Sequence, residues 1–439
     1  MLLQRVERHV IKPSNKNFAI FKELSHNSKN LYNYCNFILR QSFFENKKLP
    51  KEYDLTTNFA KENQDDYRKL PTQTAQQTIR FLYTNWKAFF KALKSYQKDK
   101  SKFTSNPKIP KYKKKKGYNV VVFTKQQIRI KQGENLTKLH FPEKYNGKEL
   151  KIKPIITKVD LETSTIKQVR VVPKTTCFIV EVVYETETVE TPKIDGSFLS
   201  IDLGLNNFVT SIDNQSRTPF IINGKGIKSI NQFYNKMRAI YQGISMKSNK
   251  LYSTKRLNNL TFKRNGKINN FMHKASNYVV KHCVKHRIQT VVVGKNDGWK
   301  QEINLGKRTN QNFVSIPFES FINKLAYKCE NFGIKLITTN ESYTSKCDHF
   351  AGEEMKHYEN YLGKRVKRGL FKSSTGKTLN ADINGAIGIA RKVFHDAVKS
   401  LVDSGTAFVP VKINIKWCRK FMKERGFWTW MIWILLREL

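Results

Sequence analysis

The chain has 439 residues, enough for two or three domains with cores of their own. Its 80 lysines and arginines face only 35 acids, a formal net charge of +45. That excess surpasses what solubility requires and predicts a polyanionic partner, because each phosphate neutralised by a cation releases condensed counterions. The charge is spread along the chain and not massed beside one anchor, which favours nucleic acid over anionic membrane. Six scattered cysteines, none at C-x-x-C spacing, support neither a disulfide framework nor a zinc ribbon and fit a reducing, cytoplasmic setting.

The opening MLLQRVERHVIK lacks the apolar core of a secretory signal. From Ser14 to Glu45 and from Thr72 to Lys98 apolar residues recur at helical spacing, with Ala75, Ile79, Leu82, Trp86, Phe90 and Leu93 in one stripe. Residues 98–116, KDKSKFTSNPKIPKYKKKK, are dense in lysine and interrupted by Pro107 and Pro110. Lysines interleaved with Phe103 and Tyr112 suit an arm that contacts phosphates, and Lys108, Lys111, Lys113, Lys114, Lys115 and Lys116 are its candidate contacts. From Tyr118 to Tyr184 short alternating runs (VVVF, QIRI, KLHF, LKIK, QVRVV, CFIVEVVY) predict closely spaced strands in a small β-barrel or sandwich. The preceding helices are then an insertion in that barrel or a layer beside it, and VETPKIDG, residues 189–196, is the linker out of it.

In the second half, SFLSIDLGLNNFVTSID, residues 197–213, predicts two strands joined by a tight turn, and TPFIIN a third. Residues 227–286 predict two long basic helices joined near Asn265 and Gly266. VVVG is the fourth strand, Pro317 to Asn331 a helix, GIKLITT the fifth strand, and Asn380 to Val398 the last helix. Such a series predicts a mixed α/β layer fold of the ribonuclease H type. The apolar run FWTWMIWILL, residues 427–436, is shorter than the ~20 residues of a membrane helix and predicts packing by Trp428, Trp430 and Trp433. No membrane partner is expected.

Asp202 follows FLSI on the first strand, where a carboxylate is unfavourable without a cation or hydrogen-bond partner. Asp382, in NADINGAIGIARK, opens the last helix beside small residues. Taken alone, Asp202 reads as readily as a satisfied turn acid, and Asp382 as a partner of the helix dipole, as either does as a metal ligand. Together, on the first strand and closing helix of this topology, they predict a site for Mg²⁺, a hard ion that prefers carboxylate oxygens. Two such ions can activate water and stabilise the leaving oxygen of a phosphodiester. His273 reads as a packed or capping residue. Ser345 and Lys346 read either as turn residues or as an edge of the site.

The ordered segments SIDLGLNNFVTSID, VVVGKNDGWKQEINLGKRTNQNFVSIPF, ESYTSKC and NADINGAIGIARK resemble TnpB, the RNA-guided DNA endonuclease family encoded by insertion sequences. LPTQTAQQTIRFLYTNWKAFFKAL and NPKIPKYKKKK resemble its N-terminal half. The resemblance implies a wedge-like β-barrel (1–14 and 117–190) carrying a helical recognition domain with a basic arm (15–116), and a RuvC-like nuclease of the ribonuclease H fold (191–339 and 379–408). The tail, 409–439, has no assigned counterpart. Implied partners are a guide RNA from the transposon end and double- and single-stranded target DNA, with protein reading a short flanking motif and pairing reading the rest. Metal-dependent hydrolysis in the cytoplasm, at the nucleoid, follows; oligomeric state stays open.

Two departures shape the expectation. The family's glutamate at the end of the fourth strand corresponds to Gly294. Glu341, after the fifth strand, is the first choice to replace it, since adjacent strands lie about 4.8 Å apart; Glu302 is the second. At the position of the family's zinc ribbon, residues 340–378 keep only Cys347, with His349 and His357 nearby, so no zinc is expected. That insertion is expected to face nucleic acid through Lys364, Arg365, Lys367 and Arg368, as is Lys300 after the fourth strand. The rival reading is a nuclease-inactive RNA-guided repressor, supported by Gly294 and opposed by Asp202 and Asp382. A strand-transferring transposase is weaker, because nothing resembles a tyrosine or histidine-pair nucleophile.

Overall fold

The structure is a computed structural model that describes the chain except residues 1, 134–135, 217, 297–314, 368, 396–397, 400–401, 403–408 and 416–439. Lys300, Glu302, Arg368 and the three tail tryptophans lie outside the described residues. The chain divides into two compact units, with the described residues up to Glu187 in one and those from Thr188 onward in the other.

The first unit opens with strand β1 (Leu2–Ile11), followed by helices α1 (Phe18–Phe44), α2 (Glu52–Lys61), α3 (Asp65–Arg68) and α4 (Thr72–Lys98). Strands β2 (Val121–Thr124), β3 (Arg129–Gln132), β4 (Thr137–His140), β5 (Lys144–Tyr145), β6 (Lys148–Glu149), β7 (Ile155–Thr157), β8 (Ser164–Pro173) and β9 (Phe178–Glu187) complete it. β1, β9, β8 and β2 form one antiparallel sheet; β3, β4 and β7 form another; β5 and β6 pair alone. α1 and α4 are joined by burial of Ala75, Ile79, Leu82 and Trp86 from the expected stripe, with Phe89 buried where Phe90 was expected and Phe90 exposed, and by a polar tie, Trp86 Nε1 donating to Asn36 Oδ1 at 3.0 Å. Both helices and both larger sheets share one apolar core.

The expected strand LKIK is absent at 150–153. Leu150 N–H donates to Glu143 O at 2.7 Å and Ile152 N–H to Leu150 O at 3.0 Å, a tight turn ahead of Pro154, which has no donor for a ladder. The Asn17 amide then takes the place of a strand partner for Lys153, accepting from its N–H at 2.7 Å and donating to its carbonyl at 2.9 Å.

The second unit contains β10 (Ile194–Asp202), β11 (Asn207–Asp213), β12 (Phe220–Asn223), α5 (Lys225–Asn249), α6 (Lys255–Lys285), β13 (Ile288–Gly294), α7 (Phe318–Asn331), β14 (Lys335–Thr339), β15 (Lys364–Lys367), β16 (Leu370–Lys372), β17 (Thr378–Asn380), α8 (Ala381–Arg391) and β18 (Val411–Ile413). Its main sheet runs β14-β13-β10-β11-β12-β18. β10, β11 and β12 are antiparallel neighbours, while β13 lies parallel to β10 and β14 parallel to β13. Alternation along β10 sends Leu199 and Ile201 into a core with α6 and α7, and Phe198 into a core with α8. Ser200 and Asp202 share the Phe198 face, so Asp202 is delivered to the α8 side.

Two helix boundaries differ from the expectation. The junction between the basic helices is at Lys250–Thr254, not at Asn265–Gly266, which lie inside α6. Lys250 adopts a left-handed φ of 51° that ends α5, and Thr254 caps α6 by accepting from Leu257 N. A lone helical glycine is unfavourable by only about 1 kcal/mol, so Gly266 does not break the helix. The last helix stops at Arg391 instead of running unbroken to Val398. The chain turns there so that Phe394 stacks on Phe198, with ring centroids 4.9 Å apart.

Candidate functional site

Three carboxylates from three distant segments approach one end of the main sheet. Asp202 ends β10, Asp382 sits in the first turn of α8, and Glu341 follows β14 by two residues. Small residues let α8 lie directly on the sheet: Ser200 Oγ donates to Ala386 O at 2.8 Å. A Cβ at Gly385 would fall 2.9 Å from Asp202 Oδ2, so the Asp202 carboxylate rests on the helix backbone three residues beyond Asp382. The start of α8 is fixed by Asn380, whose Oδ1 accepts from Asp382 N–H at 2.9 Å. Asn207, at the start of β11, donates to Asp382 Oδ2 at 2.7 Å.

Gly294 ends β13 on the same face. A Cβ there would meet Ile389 Cδ1 at 2.5 Å and Glu341 Oε2 at 3.0 Å. The space a side chain at 294 would need is therefore occupied by α8 and by the carboxylate of Glu341. The ladder between β13 and β14 pairs Gly294 with Thr339, which carries Glu341 in from the adjacent strand.

The electrostatics are those of a crowded acidic site. Asp202 is half-buried, and its carboxyl is held well above the usual range by burial first, then by the charges of Asp382 and Glu341, against the opposing pull of Arg365. Burial also pushes Glu341 up to about 7, opposed by Lys392. Lys392 donates to Ser342 O at 2.9 Å. Arg365 Nη2 lies 4.0 Å from Asp382 Oδ1 with half of its side chain in solvent. Among the described residues no group of three His, Cys, Asp or Glu side chains is gathered tightly enough to hold an ion, so the described arrangement is an electrostatically coupled triad and not a finished ligand shell. The donor set, all carboxylate oxygen, is nevertheless the chemistry that a hard divalent cation prefers.

The insertion between β14 and α8 contains the small antiparallel sheet β15-β16-β17, which sequence patterning missed. Lys364, Arg365 and Lys367 are exposed on β15, and only Arg365 is described beside a carboxylate of the triad. Cys347 is buried with Sγ 3.5 Å from Glu354 O. His349 is buried with Nε2 2.7 Å from Thr344 O and packs against Gly388 of α8. His357 lies beside the ring of Tyr343. His273 Nδ1 lies 3.4 Å from Tyr327 OH, a packed position between α6 and α7. Ser345 lies at the edge of Gly385, and Lys346 Nζ sits 5.7 Å from the Tyr361 ring centroid.

In the first unit the basic arm is held by its backbone. Asn33 accepts from Lys113 N–H at 2.8 Å and donates to Lys113 O at 2.9 Å, Arg40 donates to Pro110 O at 3.0 Å, and Lys29 donates to Lys115 O at 2.9 Å. This leaves the side chains of Lys108, Lys111, Lys114, Lys115 and Lys116 exposed, while Lys113 Nζ lies over the Tyr32 ring at 4.9 Å.

The fold and the triad define a mixed α/β protein with an acidic site at the junction of sheet and helix. Family models match two segments of it: "Probable transposase", the OrfB family of IS605-type elements, over residues 181–300, and the TNB domain of Cas12f1-like proteins over residues 318–389. Both segment matches accord with the resemblance to TnpB carried by the ordered motifs. No curated protein sequence matches it. Among solved structures, a Cas12f1–sgRNA–target DNA complex aligns at a TM-score of 0.57 with 15% identity, over 84% of this chain and 82% of that one, a likeness of fold. The mini-RNA-guided endonuclease CRISPR-Cas phi3 aligns at 0.47 with 10% identity, over 90% and 92%. Among the described residues no helix is long and apolar enough to cross a membrane.

Asn207, Asn296 and Lys392 were not singled out by sequence reasoning. Asparagines directly after a strand or in its turn, as in LGLNN and VVVGKN, are the signal that was present.

Proposed function

We propose that the protein is an RNA-guided DNA endonuclease of transposon origin that hydrolyses target phosphodiesters after guide pairing. The observation that carries this reading is the approach of Asp202, Glu341 and Asp382 to one end of the sheet, with glycines at 294 and 385 clearing the space. The domains follow the resemblance: a RuvC-like nuclease over 191–339 and 379–408, a wedge-like barrel over 1–14 and 117–190 with the recognition helices and arm of 15–116 inserted, and the basic insertion 340–378. Asp202, Glu341 and Asp382 would hold two Mg²⁺ ions. When bound, such ions supply Lewis acidity and a water nucleophile active at neutral pH.

The chain's own groups have separable tasks. Asp202 and Asp382 present carboxylates from a strand end and a helix start, both rigid elements. Arg365, exposed at the rim, is placed to pair with a phosphate oxygen of the DNA as it meets the acidic site. Arg365→Ala is expected to lower single-turnover cleavage about tenfold at unchanged guide affinity, the size of one charge-assisted contact. Unchanged cleavage would remove Arg365 from the site.

The exposed lysines of the arm suit the backbone of the guide RNA or its duplex with the target, and the protein would act at the nucleoid. Replacing Lys114, Lys115 and Lys116 together by alanine is expected to weaken nucleic-acid binding and to reduce the slope of log affinity against log salt by about 2–3. Filter binding across a salt series reads both. An unchanged slope would assign the arm to the solvated surface.

The repressor alternative drew its support from Gly294, and Glu341 beside that glycine favours the enzymatic reading. The deciding experiment is cleavage of a target plasmid by guide-loaded protein, comparing wild type with Glu341→Ala and Glu302→Ala. Loss in the first only supports the relocated acid; no cleavage by wild type with any divalent cation favours the repressor.

A further inference from the structure

Glu341 is not on a strand. The β13–β14 ladder closes where Lys295 N–H donates to Thr339 O at 2.8 Å, and Glu341 lies two residues farther on. A glutamate there has backbone and side-chain freedom that a strand residue has lost, and ordering a long side chain is entropically unfavourable by up to ~2 kcal/mol. Something other than the sheet must hold its carboxylate.

We propose that Asn296 is the positioning residue for Glu341, bracketing both its backbone and its carboxylate. This rests on the reading of Glu341 as a carboxylate of the nuclease site. Asn296 Oδ1 accepts from Glu341 N–H at 2.9 Å, standing in for the strand carbonyl that the ladder no longer supplies. From the other end of the same amide, Nδ2 donates to Glu341 Oε1 at 3.4 Å. The opposite side of the residue is fixed through its carbonyl, which accepts from Thr344 N–H at 3.3 Å and from Thr344 Oγ1 at 2.8 Å. With Oε1 directed to Asn296, Oε2 is turned to the clearance at Gly294.

The choice of side chain follows from the geometry. The bracket needs one acceptor and one donor on a short planar group, which asparagine carries. Aspartate would keep the acceptor, lose the donor and add a fourth negative charge to a crowded acidic site. Glutamine would displace both atoms by one methylene. Gly294 and Asn296 thus act as a pair two residues apart: the first gives room for a carboxylate from the neighbouring strand, and the second holds it there.

The test uses guide-loaded protein carrying Asn296→Ala, Asn296→Ser or Glu341→Gln. Mn²⁺ affinity is measured by electron paramagnetic resonance without DNA, together with target affinity and the Mg²⁺ dependence of cleavage. Groups that orient a ligand typically change metal affinity ~10–100-fold when removed. Asn296→Ala is expected to weaken Mn²⁺ binding and to raise half-saturating Mg²⁺ by about tenfold. Target affinity and the rate at saturating Mg²⁺ should stay near wild type. Serine has one hydroxyl where asparagine has two separate polar atoms, and its shorter side chain cannot bracket backbone and carboxylate together, so its metal dependence should also shift. If both variants bind metal as wild type does while Glu341→Gln does not, the positioning role is overturned and the role of Glu341 stands. If Glu341→Gln itself binds metal and cuts normally, the underlying reading is what fails.

Discussion

Glu341→Gln is expected to lower target cleavage by about 10³–10⁴-fold while guide and target binding persist, as removal of one member of a catalytic unit does. The substitution preserves size and the link to Asn296, and it removes only the charge that a divalent cation needs. Asp202→Asn and Asp382→Asn are expected to fall as far. Combining any two is expected to add little, because the three act as one unit and the first loss already disables it. Single-turnover cleavage of a labelled duplex checks the rates, and a gel-shift assay checks binding. Full activity in Glu341→Gln, with activity lost in Glu302→Gln, would move the third acid to Glu302.

Strands β10, β11, β12, β13 and β14 were readable because each is a short β-branched or alternating run bounded by turn residues; β10, β11 and β12 are neighbours in chain order, whereas β13 returns to lie beside β10. β18 was not readable: three residues at the sheet edge, pairing with β12 in parallel, have no local pattern of their own. The insertion sheet was hidden for a similar reason, since LFK and TLN are too short for periodicity to register. At 150–153 the alternation was real, and a distant asparagine, Asn17, captured the backbone instead. Gly294 was legible as an absence of acid, but its physical meaning required coordinates: its neighbours are Ile389, nearly a hundred residues onward, and Glu341. The hydrogen bonds that Asn207 and Asn296 make to carboxylates likewise join residues whose separation in sequence gives no periodic signal.

Glu341 should also make the protein less stable than it could be, in a pH-dependent way. Its carboxyl is raised from an ordinary value of 4.5 to about 7, chiefly by burial. Below 4.5 the acid is protonated in both folded and unfolded chains and has no effect on the balance. As pH rises from there, the unfolded chain releases a proton that the folded chain retains, so the contribution to stability becomes increasingly unfavourable and levels off above about 7. Glu341→Gln resembles the neutral acid at every pH. In the absence of divalent cations it is therefore expected to match wild type near pH 4 and to exceed it by about 1–3 kcal/mol at pH 8, the range allowing for the part of the carboxylate that water still screens. The difference between the two proteins is the quantity to read, because other buried groups titrate as well. His349, pushed down to about 4, makes folding more favourable as pH rises through 4 to 6.5, and Lys328, at about 7, does so above neutrality. These act equally on both proteins and cancel. Urea unfolding midpoints at the two pH values give the result, and adding Mg²⁺ at pH 8 should stabilise wild type selectively, since a ligand of the folded state shifts only the protein that binds it. A stability gap that is the same at pH 4 and pH 8 would mean that the Glu341 carboxylate is no worse solvated in the folded chain than in the unfolded one, and the crowded acidic site would lose its electrostatic basis.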